Sequence, residues 1–163
     1  MSAEQSDPFT SSDELLAEEA LLSFDELDAA TCVQIGSHVS AKAQADSLPI
    51  TVEITLGSRL VYKAAFPGST EDNDVVIAGK RNVVAIGGHS SLYERNRHLE
   101  NQTTFEEATG QTFPEYAPYG GGVPFRSTDG QQQGVVIVSG LTQEADHAVA
   151  VDAIRSVRDA TTG

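Results

Sequence analysis

His89 stands between two glycines and two serines in Gly87-Gly88-His89-Ser90-Ser91, a setting where backbone can approach a ligand and small hydroxyls can hydrogen-bond it. An exposed imidazole there offers the neutral nitrogen lone pair that a metal ion requires. The alternative use of the same residues is a helix-to-helix turn carrying a surface histidine, with Ser90 and Ser91 starting the second helix. Just upstream, Lys80 and Arg81 form an adjacent basic pair suited to charge-assisted hydrogen bonds with a small anion. Ion pairs with the protein's own acidic surface would serve them equally well. Gly120, Gly121 and Gly122 have the flexibility of an anion cradle but lack the Lys-Ser/Thr ending of a P-loop, so a bend with close backbone packing competes for them. Asp146 and His147 have acid and base side chains, yet neighbours on a helix point about 100° apart. Asp146 is therefore expected to meet the helix N-terminal dipole, and His147 to pack or to reach an interface between copies.

Other chemistries find no pattern. His38, His89, His98 and His147 are scattered, with no HExxH, no CxxC and no paired carboxylates, so no metal site is expected from spacing. Neither a serine nucleophile elbow nor a dinucleotide-binding glycine fingerprint occurs. Cys32 is the single cysteine, which excludes an internal disulfide, and its apolar setting reads as a small core residue.

The net charge of −14 narrows the partners. Nine acidic residues, from Glu4 to Asp28, precede the first basic residue, Lys42; setting those nine aside leaves −5 for the rest. Phosphate backbones and anionic lipid surfaces need clustered Lys and Arg, so nucleic acid and membrane are not expected partners. No apolar run approaches the roughly 18 residues of a membrane helix, and no basic segment leads into an apolar one, which makes the cytoplasm the expected compartment.

The elements that must position these residues follow from periodicity. A chain of 163 residues suits one core. Residues 1–14 read as an acidic, flexible arm, 15–158 as one domain and 159–163 as a flexible end. Ser11 has capping-box spacing to Glu14, predicting a short acidic helix. Asp28 to Ala45 carries Cys32, Ile35, Val39 and Ala43 at helical spacing. Ile50 to Leu56 alternates apolar and polar residues, Gly57-Ser58 suits a type II′ turn, and Arg59 to Phe66 returns. A helix capped by Asn73 or Asp74 runs to Gly87-Gly88, followed by short helices from Ser90 or Ser91 and from Thr103 or Thr104. Val123 and Phe125 enter a strand, Asp129-Gly130 turns the chain, Gly134 to Val138 is a strand buried on both faces, and a last helix starts near Thr142. Two hairpins interleaved with amphipathic helices give an α+β fold, an antiparallel sheet flanked by helices.

Phe66-Pro67-Gly68, Lys80-Arg81-Asn82-Val83-Val84, His89-Ser90-Ser91, Gly120-Gly121-Gly122-Val123-Pro124 and Val138-Ser139-Gly140-Leu141 with Asp146-His147 occur in this order. On these pieces the chain resembles the GlcG-like, haem-degrading-domain superfamily, which includes the haem-binding protein HbpS and the C-terminal domain of PduO-type proteins. The resemblance implies a profilin-like sheet, symmetric homo-oligomers and binding of haem or a related tetrapyrrole. It departs from that pattern at Ile86-Gly87, where an Arg-Phe pair is common. With a tetrapyrrole as ligand, His89 becomes the candidate for the iron, Lys80 and Arg81 for propionates, and Ser90, Ser91, Gly121, Gly122 and His147 for the surrounding pocket. The expected function is a noncatalytic oligomeric binding module. A haem-degrading enzyme and a structural or accessory oligomer without a small ligand are the alternatives.

Overall fold

Alternating side chains over Thr51–Leu56 form β2, and Gly57, at φ 59°, turns the chain with Ser58 into β3 (Arg59–Ala65). The positive φ is what a Cβ would oppose, so glycine fits this corner. The computed structural model describes residues 9–162; residues 1–8, most of the expected flexible arm, and Gly163 lie outside the described residues. β2 and β3 pair antiparallel, with a bulge that makes Val61 the extra residue between Leu60 and Tyr62. The second hairpin is β4 (Gly122–Ser127) and β5 (Gln133–Ser139), and β5 also pairs antiparallel with β2.

A fifth strand, β1 (Ser23–Phe24), lies parallel to β4 and gives the order β1-β4-β5-β2-β3. The sheet is antiparallel as expected across β4, β5, β2 and β3, and this one short parallel pair at its edge makes it mixed. Two residues are too few for a period-two signal, and only the tertiary fold pairs them.

α2 (Ala29–Asp46) and α6 (Gln143–Thr162) cover one face of the sheet. Ile35, Val39 and Ile154 pack there with Ile54, Phe125 and Val136 in the main core. On the other face α3 (Glu71–Gly87) sets Ile77 and Val84 against Val135 and Ile137. β5 thus alternates between two apolar layers, the reason its sequence reads as an unbroken apolar run. Each large aliphatic side chain so buried contributes about 1.5–3 kcal/mol. Cys32 is fully buried against α2's neighbours, and burial pushes its thiol up to about 11.

Caps fix where the helices begin. Asp28 accepts the Thr31 amide at 3.0 Å to start α2. Thr70, not Asn73 or Asp74, caps α3: Asn73 is the third helical residue and accepts the Thr70 amide at 2.8 Å, completing a capping box. Gly88, at φ 77°, ends α3, and Ser90 at once caps α4 (Ser91–Glu100) through the Tyr93 amide at 3.1 Å. Thr104 caps α5 (Phe105–Thr109). α1 (Ser12–Ala20), capped by Ser11, packs on α4, and Ser12 donates from its amide and hydroxyl to Glu100 at 2.9 and 2.5 Å. The boundary expected at residue 14 therefore falls inside α1, and α6 runs through Thr162, past the limit expected at 158. Among the described residues no helix is long and apolar enough to cross a membrane.

Candidate functional site

The α3–α4 turn holds His89 with its side chain 40% exposed and its Nδ1 3.1 Å from Oε2 of Glu19 on α1. The Tyr93 ring meets the imidazole edge-on, with centroids 4.8 Å apart. Glu19 is buried and turns its other oxygen to Arg126 Nη1 at 3.3 Å, while Arg126 also donates to the Gly88 carbonyl. One carboxylate thus spans His89 and Arg126 and fixes the imidazole with Nδ1 inward. Its Nε2 takes no partner among the described residues. A hollow of about 150 Å³, floored by Leu16 and Ala20, adjoins this group.

Lys80 and Gly121 belong to a second place. Lys80, 2% exposed, donates from Nζ to the Val138 carbonyl at 2.8 Å and to Asp146 Oδ2 at 3.2 Å. Asp146 Oδ1 accepts the Leu141 amide at 3.0 Å near the start of α6. Burial drives the Lys80 amine below its ordinary value against the attraction of Asp146, and drives the Asp146 carboxyl above its own against the attraction of Lys80. Gly121 sits at φ 136°, where a Cβ would stand 2.3 Å from the Val138 carbonyl oxygen and 2.7 Å from Lys80 Nζ. A cleft of about 520 Å³ opens against this pair, walled also by Asn73, Tyr119, Ser139 and Gln143.

The other expected residues take supporting positions. Ser91 accepts the Gly122 amide at 2.9 Å and Ser90 is the α4 cap, so both bind backbone. Arg81 turns away from Lys80 and pairs with Glu53 on β2 at 3.2 Å, as adjacent helical positions must diverge. His147 Nε2 lies 2.6 Å from Glu18 Oε1, its Nδ1 is buried without a partner, and it faces α1 while Asp146 faces α3. The eight residues are therefore not gathered at one place. Glu19, Arg126 and Tyr119 were missed: α1 reads as a uniformly acidic solvated helix, and only its packing reveals that Glu19, four positions after the buried Leu15, is on the inner side. No group of three or more metal-ligating side chains is found among the described residues.

A family model described as haem degrading protein, HbpS-like, matches residues 27–155. The chain belongs to this HbpS-like family. His89, Lys80, Gly121 and Asp146 lie inside the matched span, whereas Glu18 and Glu19 precede it. A UPF0303 protein of Streptomyces avermitilis is 36% identical over 141 residues, 86% of each chain. Another, from Rhizobium johnstonii, is 37% identical over 137 residues, 84% of each. The crystal structure of Ybr137w protein superposes with a TM-score of 0.84 at 24% identity, covering 92% of this chain and 89% of that one. The PduOC:haem complex gives 0.64 at 19% identity over 80% and 94%, and HbpS gives 0.62 at 14% over 83% and 92%. At those identities the structural likenesses establish the fold of the HbpS-like family member, an α+β domain, and nothing finer.

Proposed function

We propose that this HbpS-like protein is a noncatalytic binding module for haem or a related tetrapyrrole, with His89 as the group that meets the iron. The observation that carries this reading is the Glu19–His89 contact at 3.1 Å, which commits Nδ1 and leaves Nε2 unpartnered on a half-exposed ring. Metal-ligating histidines are held in this way, because a carboxylate on one nitrogen fixes the tautomer and raises the basicity of the other. Tyr93 offers an aromatic edge beside the ring, and Arg126, already oriented by Glu19, is placed for a propionate. Bound haem would supply a redox-active iron, while the chain's own groups hold and orient it. Both oxygens of Glu19 are engaged, by His89 and by Arg126, so the carboxylate orients its neighbours, which favours a holder over an enzyme.

The donor fits the cofactor, but the adjoining hollow of about 150 Å³ does not enclose it. Small-molecule pockets run to about 300–1,000 Å³. A second copy of this chain closing over His89 completes the reading as a symmetric homo-oligomer, in keeping with the family. Titration with haem should saturate at a fixed ratio to chain. Ascorbate and oxygen should then return the haem intact; a biliverdin-like product with free iron would overturn the noncatalytic role.

A further inference from the structure

The Lys80–Asp146 pair lies away from His89, and the tetrapyrrole reading makes no use of it. An ammonium has three donors. Lys80 Nζ finds two acceptors, the Val138 carbonyl and Asp146 Oδ2, and no third among the described residues. One N–H of the ammonium is therefore left without an acceptor, which favours loss of a proton from this nitrogen. Asp146 stands 3.2 Å away as the natural acceptor of the displaced proton. Gly121 keeps space around Nζ that any Cβ would occupy. A purely structural ion pair requires no such cleft, yet about 520 Å³ opens against these two residues.

We propose that Lys80 captures a small, uncharged hydroxyaldehyde or hydroxyketone as a Schiff base in this cleft. Lys80 and Asp146 neutralise each other, so the cleft walls carry no net charge to select an acid. The remaining wall is polar and hydroxyl-complementary: Asn73 already donates to Ser139 at 3.1 Å, Gln143 holds the Gly120 amide at 3.2 Å, and the Tyr119 hydroxyl has no partner among the described residues. Asp146 first takes a proton from the ammonium. The amine nitrogen then bonds to the carbonyl carbon as the C=O π bond breaks, and a nitrogen proton passes to oxygen to give a carbinolamine. Asp146 returns its proton to the hydroxyl, which leaves as water, and the nitrogen lone pair forms the C=N bond of an iminium beside the restored carboxylate. One carbonyl is consumed and one water released, with no change of oxidation state. Burial supports the first step, since it holds the amine below its ordinary value.

The chain contains its own controls. Lys42 and Lys63, the other two lysines, are each 42% exposed and paired with Asp46 and Asp74. The intact protein is incubated at neutral pH with glycolaldehyde and cyanoborohydride, which reduces an iminium to a stable secondary amine, and each lysine is followed by peptide mass spectrometry. Burial holds the Lys80 amine below its ordinary value and so raises its neutral fraction, and Lys80 should therefore be labelled faster than either control. Its rate should saturate with glycolaldehyde, whereas Lys42 and Lys63 rise linearly. Val76→Phe, which narrows the cleft wall, should slow Lys80 alone. His89→Ala should leave Lys80 labelling unchanged, which separates this proposal from the haem reading. Labelling of Lys80 no faster than the controls, or without saturation, overturns it.

Discussion

Gly121 and Gly130 both sit at positive φ, 136° and 74°, yet a Cβ on Gly130 would meet nothing within 4 Å. The contrast separates backbone strain from close approach. Gly130→Ala should cost about 1–2 kcal/mol for its left-handed backbone alone. Gly121→Ala adds the collision with the Val138 carbonyl and Lys80, and strain with overpacking should bring its cost to about 2–5 kcal/mol. Urea unfolding of the two variants measures both; equal midpoints would show that the glycine loop is not pressed against Lys80. At this scale the sequence shows residue types well and contacts badly. Lys80 and Arg81 read as a pair because they are adjacent, but the helical turn sends one to Asp146 and the other to Glu53. The same divergence correctly argued against a dyad of Asp146 and His147.

Elements were more legible, because periodicity and caps are local. The hairpin at Gly57, the α2 stripe and the doubly buried β5 follow from patterns within each segment. β1 and the parallel pairing with β4 could not, since a two-residue strand exists only through its partner. α1 was legible as a helix but not as a part of the site. Its adjacent Glu18 and Glu19 diverge so that each reaches a different histidine, His147 and His89. The α2 cap gives a pH test. Asp28 accepts from the Thr31 backbone and hydroxyl, which holds its carboxyl below the ordinary 3.8. A depressed carboxylate contributes stability that is present above the unfolded-state value and lost as pH falls through the folded one. Asp28→Asn keeps a capping oxygen that does not titrate. Melting temperatures should therefore favour the wild type near pH 6 and converge below pH 3.8; a constant difference across that range would contradict the cap's role.

For the whole molecule, a net charge of −14 opposes association between copies. Salt screens such repulsion over a Debye length of about 10 Å at 0.1 M. If a second copy completes the His89 hollow, light scattering should give a multiple of 17.2 kDa, and raising the salt should strengthen the assembly. A 17.2 kDa particle at every salt concentration that still binds haem would place the complete site in one chain. The division between the two candidate places also belongs to this scale. About 10 Å of α3, at 1.5 Å per residue, separates the Lys80 level from the helix end before His89. Nearness in sequence therefore implied a single pocket where the fold makes two.

The most direct measurement is a haem titration followed by Soret absorbance for the wild type and His89→Ala. Because His89 is half-exposed and outside the core, the variant should keep the wild-type fold by circular dichroism. A saturable wild-type spectrum that shifts or weakens by about tenfold in the variant, roughly 1.4 kcal/mol, is the expected result. Identical titrations, or no specific spectrum from the wild type, would contradict a haem site at His89.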